Sequence, residues 1–180
     1  KALCDSPGID GVLFTGSQPV GHLLAQALSK TPEKILALEM GGNNPMVVYD
    51  IKSSVSAFQT ITESAFISTG QRCTCTRRLI LVKESLPESF LDDFINYLTL
   101  LPFKTPSFYA PLISKEAVNN TLNFYKKLVK TGSTSLVSPK VSNCYITPAV
   151  VEQHSKSRFL DYEVFGPLLQ VSWVNSLEDA

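Results

Sequence analysis

The chain has 180 residues, 44% of them apolar, which is enough to bury a sizeable core and about the size of one domain or of one domain with part of another. Its 16 basic and 16 acidic residues cancel, which argues against the charge footprint of a nucleic-acid binder or a polybasic membrane patch. No apolar run approaches a bilayer span, and the start, KALCDSPGID, lacks the apolar core of a signal peptide. A cytoplasmic protein is expected, acting on small ligands and with neither nucleic acid nor membrane as partner.

Strands and helices alternate along the chain. GVLF (11–14) is a short apolar run that stops at TGSQPVG, after which Leu23, Leu24, Ala27 and Leu28 recur at helical spacing. KILAL (34–38) and PMVVY (45–49) read as buried strands separated by the glycine turn EMGGNN. A helix with Val55, Phe58, Ala65 and Phe66 on one face follows, with Gly70 as its stop. LILV (79–82) is a strand, and Phe90, Leu91, Phe94, Ile95 and Leu98 mark an amphipathic helix. LPFKTPSFYAP is a proline-punctuated loop. Ser114 caps a further helix that carries Val118, Phe124, Tyr125 and Leu128 and ends near Gly132. CYITPAVV and LLQVSWV close the series as strands. No internal repeat or low-complexity tract interrupts it, and the class is α/β with a largely parallel sheet. Residue 1 is not Met, and NSLEDA at the end reads as a helix start with Ser176 as N-cap, so the chain is expected to be a fragment.

The four cysteines, at 4, 73, 75 and 144, form no regular framework, and reduced thiols are expected. Two of them fall in STGQRCTCTRRL (68–79). A structural zinc site wants four ligands in paired spacing, which one CxC, two distant cysteines and the isolated His22 and His154 do not supply, so no metal is expected. A redox pair is usually CxxC at a helix start, and CxC after a helix matches it poorly. Two inert packed cysteines or one nucleophile remain, and composition alone favours the inert pair. Neither histidine has a partner at motif spacing, which counts against a Cys-His hydrolase.

Two other stretches carry chemistry. In LEMGG, Glu39 sits between an apolar strand and two glycines, which permit close backbone approach, although a lone Glu at a strand end is most often just solvated. FTGSQPVG runs a strand into a helix through small residues, and such a helix start offers unpaired N–H groups to a phosphate. A plain capped turn explains that stretch equally well.

In this order and spacing, FTGS with a glycine four residues after its Ser, LEMGG followed by NP, GQRC and EVFGP resemble the aldehyde dehydrogenase superfamily over nearly the whole chain. Glu39 and Cys73 stand 73 − 39 = 34 residues apart, as is typical of that family. The wording EKILALEMGGNNP and TGQRCTCTRRL looks most like the members that oxidise N-succinylglutamate 5-semialdehyde in bacterial arginine catabolism. The fold implied is a three-layer α/β one: residues 1–39 as the end of a Rossmann-type NAD-binding domain, and residues 40–180 as most of a catalytic domain truncated at its end.

The resemblance also implies roles. Cys73 would attack the aldehyde carbon and Glu39 would act as general base, with Cys75 a bystander. Thr15 would lie near the nicotinamide of NAD. Gly16, Ser17 and Gly21, with Gln18, Pro19 and Val20 between them, would receive its pyrophosphate. Glu163 would bind the nicotinamide ribose and Phe165 would pack by the ring, with Tyr162 replacing an acid that many relatives carry. Arg78 matches a position that is commonly Arg in the family. Arg72 or Arg77 would raise the local positive potential for an acidic substrate, against the plainer reading of solvated or structural arginines. The full-length protein would be a homo-oligomer. The preceding part of the cofactor domain would hold an oxyanion-hole asparagine, and loss of one such donor typically costs about 10²–10³ in rate, so poor turnover is expected of the 180 residues alone. Another semialdehyde dehydrogenase of the same family and a noncatalytic nucleotide-binding relative are the alternatives.

Overall fold

A computed structural model describes residues 2–103, 109–154 and 160–180. The chain forms two compact units, Lys1–Gly42 and Asn43–Ala180. In the first, strand β1 (Gly11–Thr15) leads through Gly16 and Ser17 into helix α1 (Gln18–Leu28), and strand β2 (Ile35–Glu39) returns parallel to β1. The register pairs Thr15 with Glu39, so both strands end at the same level. Alternation puts Val12, Phe14, Leu36 and Leu38 on the half-buried face, while Leu13 and Ile35, on the other, are 84% and 69% exposed.

The second unit is built on a five-stranded sheet in the order β3 (Pro45–Val48), β4 (Arg78–Val82), β9 (Leu168–Val174), β8 (Ala149–Gln153), β5 (Thr134–Val137). Every neighbouring pair is parallel except β5 with β8. Leu79, Ile80, Leu81 and Val82 are all buried, as befits an inner parallel strand. Helix α2 (Ser54–Phe66) and helix α3 (Phe90–Leu100) join one core with β4 and β9, where the Phe58 ring lies 5.1 Å from Phe90 and 5.8 Å from Phe94. Truncating a buried ring of this kind typically costs about 3–5 kcal/mol. Helix α4 (Lys115–Lys130) sets Phe124 and Leu128 against Ala149, Val151 and Leu168. Its N-cap Ser114 accepts a hydrogen bond from the Ala117 N–H at 3.1 Å, and Lys127 and Lys130 sit in its last turn, where cations suit the helix dipole.

The structure departs from expectation in three places. CYITPAVV is two strands: β7 (Tyr145–Ile146) pairs with β6 (Val141–Ser142) in a hairpin, and only after Pro148, which has no N–H to give a ladder, does β8 begin. Strand β5 went unread because TSLV is short and half polar. Helix α2 ends at Phe66, before Gly70, because Ile67 is extended at ψ 139°. In NSLEDA the Ser176 hydroxyl accepts from the Asp179 N–H and the Asp179 carboxylate from the Ser176 N–H, the reciprocal bonds expected of Ser176 as an N-cap. Residues 104–108 of the proline-punctuated loop and 155–159, next to His154, lie outside the described residues.

Candidate active site

The cysteine turn starts where α2 stops. Ser68, Thr69 and Gly70 take φ values of 53°, 57° and 70°, three left-handed residues in succession, of which only the glycine adopts that conformation without cost. A non-glycine residue there costs roughly 1–2 kcal/mol, so neighbours must hold it. The buried Thr69 hydroxyl donates to the Ala110 carbonyl at 2.5 Å and accepts from the Ala110 N–H at 3.0 Å. The Gln71 amide donates to Ser68 and Pro111 carbonyls at 3.2 and 3.4 Å and accepts from the Ile113 N–H at 2.9 Å. A Cβ on Gly70 would fall 2.3 Å from the Gly166 carbonyl oxygen, so only glycine lets these two backbones touch.

This turn presents Cys73 to solvent while Cys75 is 2% exposed, its thiol directed at the Ile67 carbonyl at 3.8 Å. Asn44, placed at the mouth of β3, clamps both. Its side-chain Nδ2 donates to the Cys73 carbonyl at 2.5 Å and the Cys75 carbonyl at 3.2 Å, and its own carbonyl accepts from the N–H groups of Arg77 and Arg78. The free thiol is thus held through backbone on both sides.

Arg77 is buried, 3% exposed. Its Nε donates to the Val164 carbonyl at 3.0 Å, Nη1 to the Cys75 carbonyl at 2.9 Å and Nη2 to the Arg72 carbonyl at 2.9 Å. Nη2 also lies 3.6 Å from Glu163 Oε1, and the guanidinium carbon is 5.1 Å from the centre of the exposed Phe165 ring. Burial pushes its pKa down, and attraction to Glu163 works against that shift. Of the two readings of Arg77, this burial fits the structural arginine and not the attractor of an acidic substrate. Arg72 does face solvent, with its Nε on the Ser68 hydroxyl at 3.0 Å.

In the first unit, the Gly16 N–H donates to the Glu39 carbonyl at 3.0 Å, which ties the glycine turn to the end of β2, where the Glu39 side chain is exposed. Ser17 occupies the N-cap of α1 in extended conformation, but its hydroxyl makes no capping bond. Gln18, Pro19 and Val20 are exposed in the first turn. A Cβ on Gly21 would lie 2.1 Å from Met40 Sδ, so the glycine lets the helix start close onto the chain that follows β2. Beside it, a cavity of about 560 Å³ runs along α1, walled by Val20, Leu23 and Ala27 with Cys4, Asp5 and Lys30. Thus the structure groups Thr15, Gly16, Ser17, Gly21 and Glu39 in one unit and Cys73, Glu163 and Phe165 in the other.

Sequence reasoning overlooked Asn44 and Thr69, and named Arg77 without its bridging role. The signals were a side-chain amide fixed ahead of Pro45, a hydroxyl directly before Gly70, and a second arginine beside the commoner Arg78. His154 shares a 2.8 Å hydrogen bond with Thr134, and among the described residues no cluster of three or more His, Cys, Asp or Glu side chains could hold a metal. No helix of the described residues is long and apolar enough to cross a membrane.

Comparison with known proteins places this geometry. The chain is 42% identical over 186 aligned positions to the N-succinylglutamate 5-semialdehyde dehydrogenase of Vibrio cholerae, an alignment covering 99% of this chain and 38% of the relative. It therefore spans about two fifths of the curated relatives it matches. Among solved structures, an indole-3-acetaldehyde dehydrogenase in complex with NAD+ superposes with a TM-score of 0.88 at 22% identity, over 99% of this chain and 38% of the other. An NADP-dependent glyceraldehyde-3-phosphate dehydrogenase from Bacillus halodurans C-125, complexed with NADP, superposes with a TM-score of 0.83 at 24% identity, over 97% and 37%. At those identities the likeness is one of fold. The sequence profile of the aldehyde dehydrogenase family matches residues 1–180, and the chain belongs to that family.

Proposed function

We propose that the full-length protein oxidises an aldehyde to a carboxylate with NAD, and that its substrate is N-succinyl-L-glutamate 5-semialdehyde, in arginine catabolism. The observation that carries this reading is the exposed Cys73 at the apex of a turn fixed on both flanks, in a chain of this family. The Cys73 thiolate attacks the aldehyde carbon and forms a thiohemiacetal, because sulfur is strongly nucleophilic at modest basicity. Loss of hydride from that carbon leaves a thioester on Cys73. Glu39 takes a proton from the water that cleaves the thioester, releasing the acid and restoring the thiol.

The residues present suit a dinucleotide. The unengaged Ser17 hydroxyl and the N–H groups at the α1 start offer donors to a pyrophosphate, and the cavity along α1 has the apolar walls a base would need. Thr15 and Phe165 would each serve the nicotinamide, Glu163 would take the ribose hydroxyls, and Gly16, Gln18, Pro19, Val20 and Gly21 would shape the phosphate turn. When bound, the nicotinamide supplies the hydride acceptor. NAD is proposed over NADP, although solved relatives hold one or the other. Residues 1–39 serve the cofactor and residues 40–180 carry the nucleophile. Arg72, exposed beside the cysteine turn, faces the carboxylates of the substrate. The protein works in the cytoplasm as a homo-oligomer.

The test is reduced-cofactor formation by the full-length protein with N-succinylglutamate semialdehyde, succinate semialdehyde and a simple aliphatic aldehyde. Strong preference for the first, lost by roughly 10⁴-fold or more in Cys73→Ala, is the expected result. Equal use of all three would overturn the substrate, and no oxidation of any would overturn the reaction.

A further inference from the structure

One guanidinium joins the two loops of the second unit that carry site residues. The carbonyls of Arg72 and Cys75, which Arg77 holds at 2.9 Å each, bracket Cys73 in sequence. The Val164 carbonyl, held at 3.0 Å, stands between Glu163 and Phe165, which the same group meets as an ion pair and a ring contact. The Arg77 backbone is tied at both ends as well: its N–H donates to the Asn44 carbonyl beside β3, and its carbonyl accepts from the Gln170 N–H of β9. A planar fork with donors in fixed directions can bridge this way, whereas a lysine offers one ammonium. Behind it, the Gly70 and Gly166 backbones touch, so the two loops meet at a second point as well.

We infer that Arg77 is a positioning residue which sets the Glu163 carboxylate and the Phe165 ring relative to Cys73, an inference that rests on the roles proposed above for those three residues. The 3.6 Å separation is that of an ion pair rather than a short hydrogen bond, and it aims the carboxylate through charge. The side chain is too deeply buried to touch substrate, so it acts through the two loops. Arg77→Lys retains a positive charge but gives up most of the fork, and the Val164 loop released from it lets Glu163 and Phe165 drift, while the bonds of Asn44, Thr69 and Gln71 still hold the cysteine turn.

The experiment uses the full-length protein as Arg77→Lys, Glu163→Gln and the double variant, with the dissociation constant for NAD from equilibrium titration and steady-state kinetics beside it. Each single variant is expected to weaken NAD about tenfold and to leave the KM for aldehyde within about twofold. The double variant is expected to be no weaker than the poorer single, since both changes remove one coupled arrangement. Two outcomes overturn the inference alone: wild-type NAD affinity in Arg77→Lys while Glu163→Gln is weakened, or fully additive losses in the double variant. Wild-type affinity in Glu163→Gln overturns the cofactor role of Glu163, and the inference with it. Should Arg77→Lys fail to fold, thermal melting of Glu163→Gln decides: a lowered Tm is expected for a buried guanidinium deprived of its carboxylate, and an unchanged Tm overturns the coupling.

Discussion

The cysteine turn, residues 68–75, and the glycine turn, residues 15–21, are both short connections after an element end, and they spend their polar groups in opposite ways. Around Cys73, the side chains of Asn44, Thr69, Gln71 and Arg77 bond backbone carbonyls, and three left-handed residues are held in a shape they would not keep alone. Around Ser17, the cap hydroxyl makes no capping bond and the first helical turn is exposed. A group that forms and breaks a covalent bond needs a fixed direction of attack. A group that receives an anion needs donors still unspent when the anion arrives. Fixation marks the first turn, availability the second.

Glu39 gives the sharpest way to probe the open side. Its backbone carbonyl is used, by Gly16, while its exposed side chain stands at the end of β2. Glu39→Gln in the full-length protein is expected to lower kcat by about 10²–10⁴, the usual worth of a general base, with Tm unchanged. Rapid mixing should still show one equivalent of NADH formed before the slow phase, because the thioester forms and then waits for water. A variant that loses the burst as well would place Glu39 at an earlier step.

On the fixed side, Gly70→Ala is the severe change. The added methyl meets the Gly166 carbonyl at 2.3 Å, and the residue must also hold φ +70°. Overpacking and left-handed strain together should cost about 2–4 kcal/mol, read as a lower Tm, and activity should fall with it because the turn beneath Cys73 shifts. Retained stability would mean that the two backbones separate easily and that the turn is less fixed than its hydrogen bonds imply.

The same contrast explains what the sequence disclosed. Strands such as LILV and helices such as the one holding Phe90, Leu91 and Phe94 announce themselves by period, because burial imposes it. Cys73, Glu39, Gly16 and Ser17 were singled out by resemblance to the family, since their own surroundings are met equally by an inert cysteine pair, a solvated Glu and a plain capped turn. The residues that hold the cysteine turn were not, since Asn44 and Arg77 act on carbonyls 29 or 31 and 87 residues away, or on neighbours whose carbonyl direction only the fold decides. The split of CYITPAVV into a hairpin strand and β8 had a visible cause in Pro148, but the partner that makes the hairpin, Val141–Ser142, carries no apolar run to reveal it.

The smallest effect tests the open turn against an ordinary helix cap, because it compares serines at the same formal position. Ser114 caps α4 through a 3.1 Å bond from the Ala117 N–H, and Ser114→Ala is expected to cost about 1 kcal/mol of stability. Ser17 makes no such bond, so Ser17→Ala should change stability by less than about 0.5 kcal/mol, within the range of a surface substitution. Titration with NAD should reverse the order. Losing one hydroxyl contact worth about 0.5–1.5 kcal/mol weakens binding by roughly two- to tenfold in Ser17→Ala, while Ser114→Ala leaves it unchanged. If Ser17→Ala instead destabilises as much as Ser114→Ala and binds NAD normally, the hydroxyl is an ordinary cap in solution, and the contrast between a fixed turn and an open one rests on the cysteine side alone.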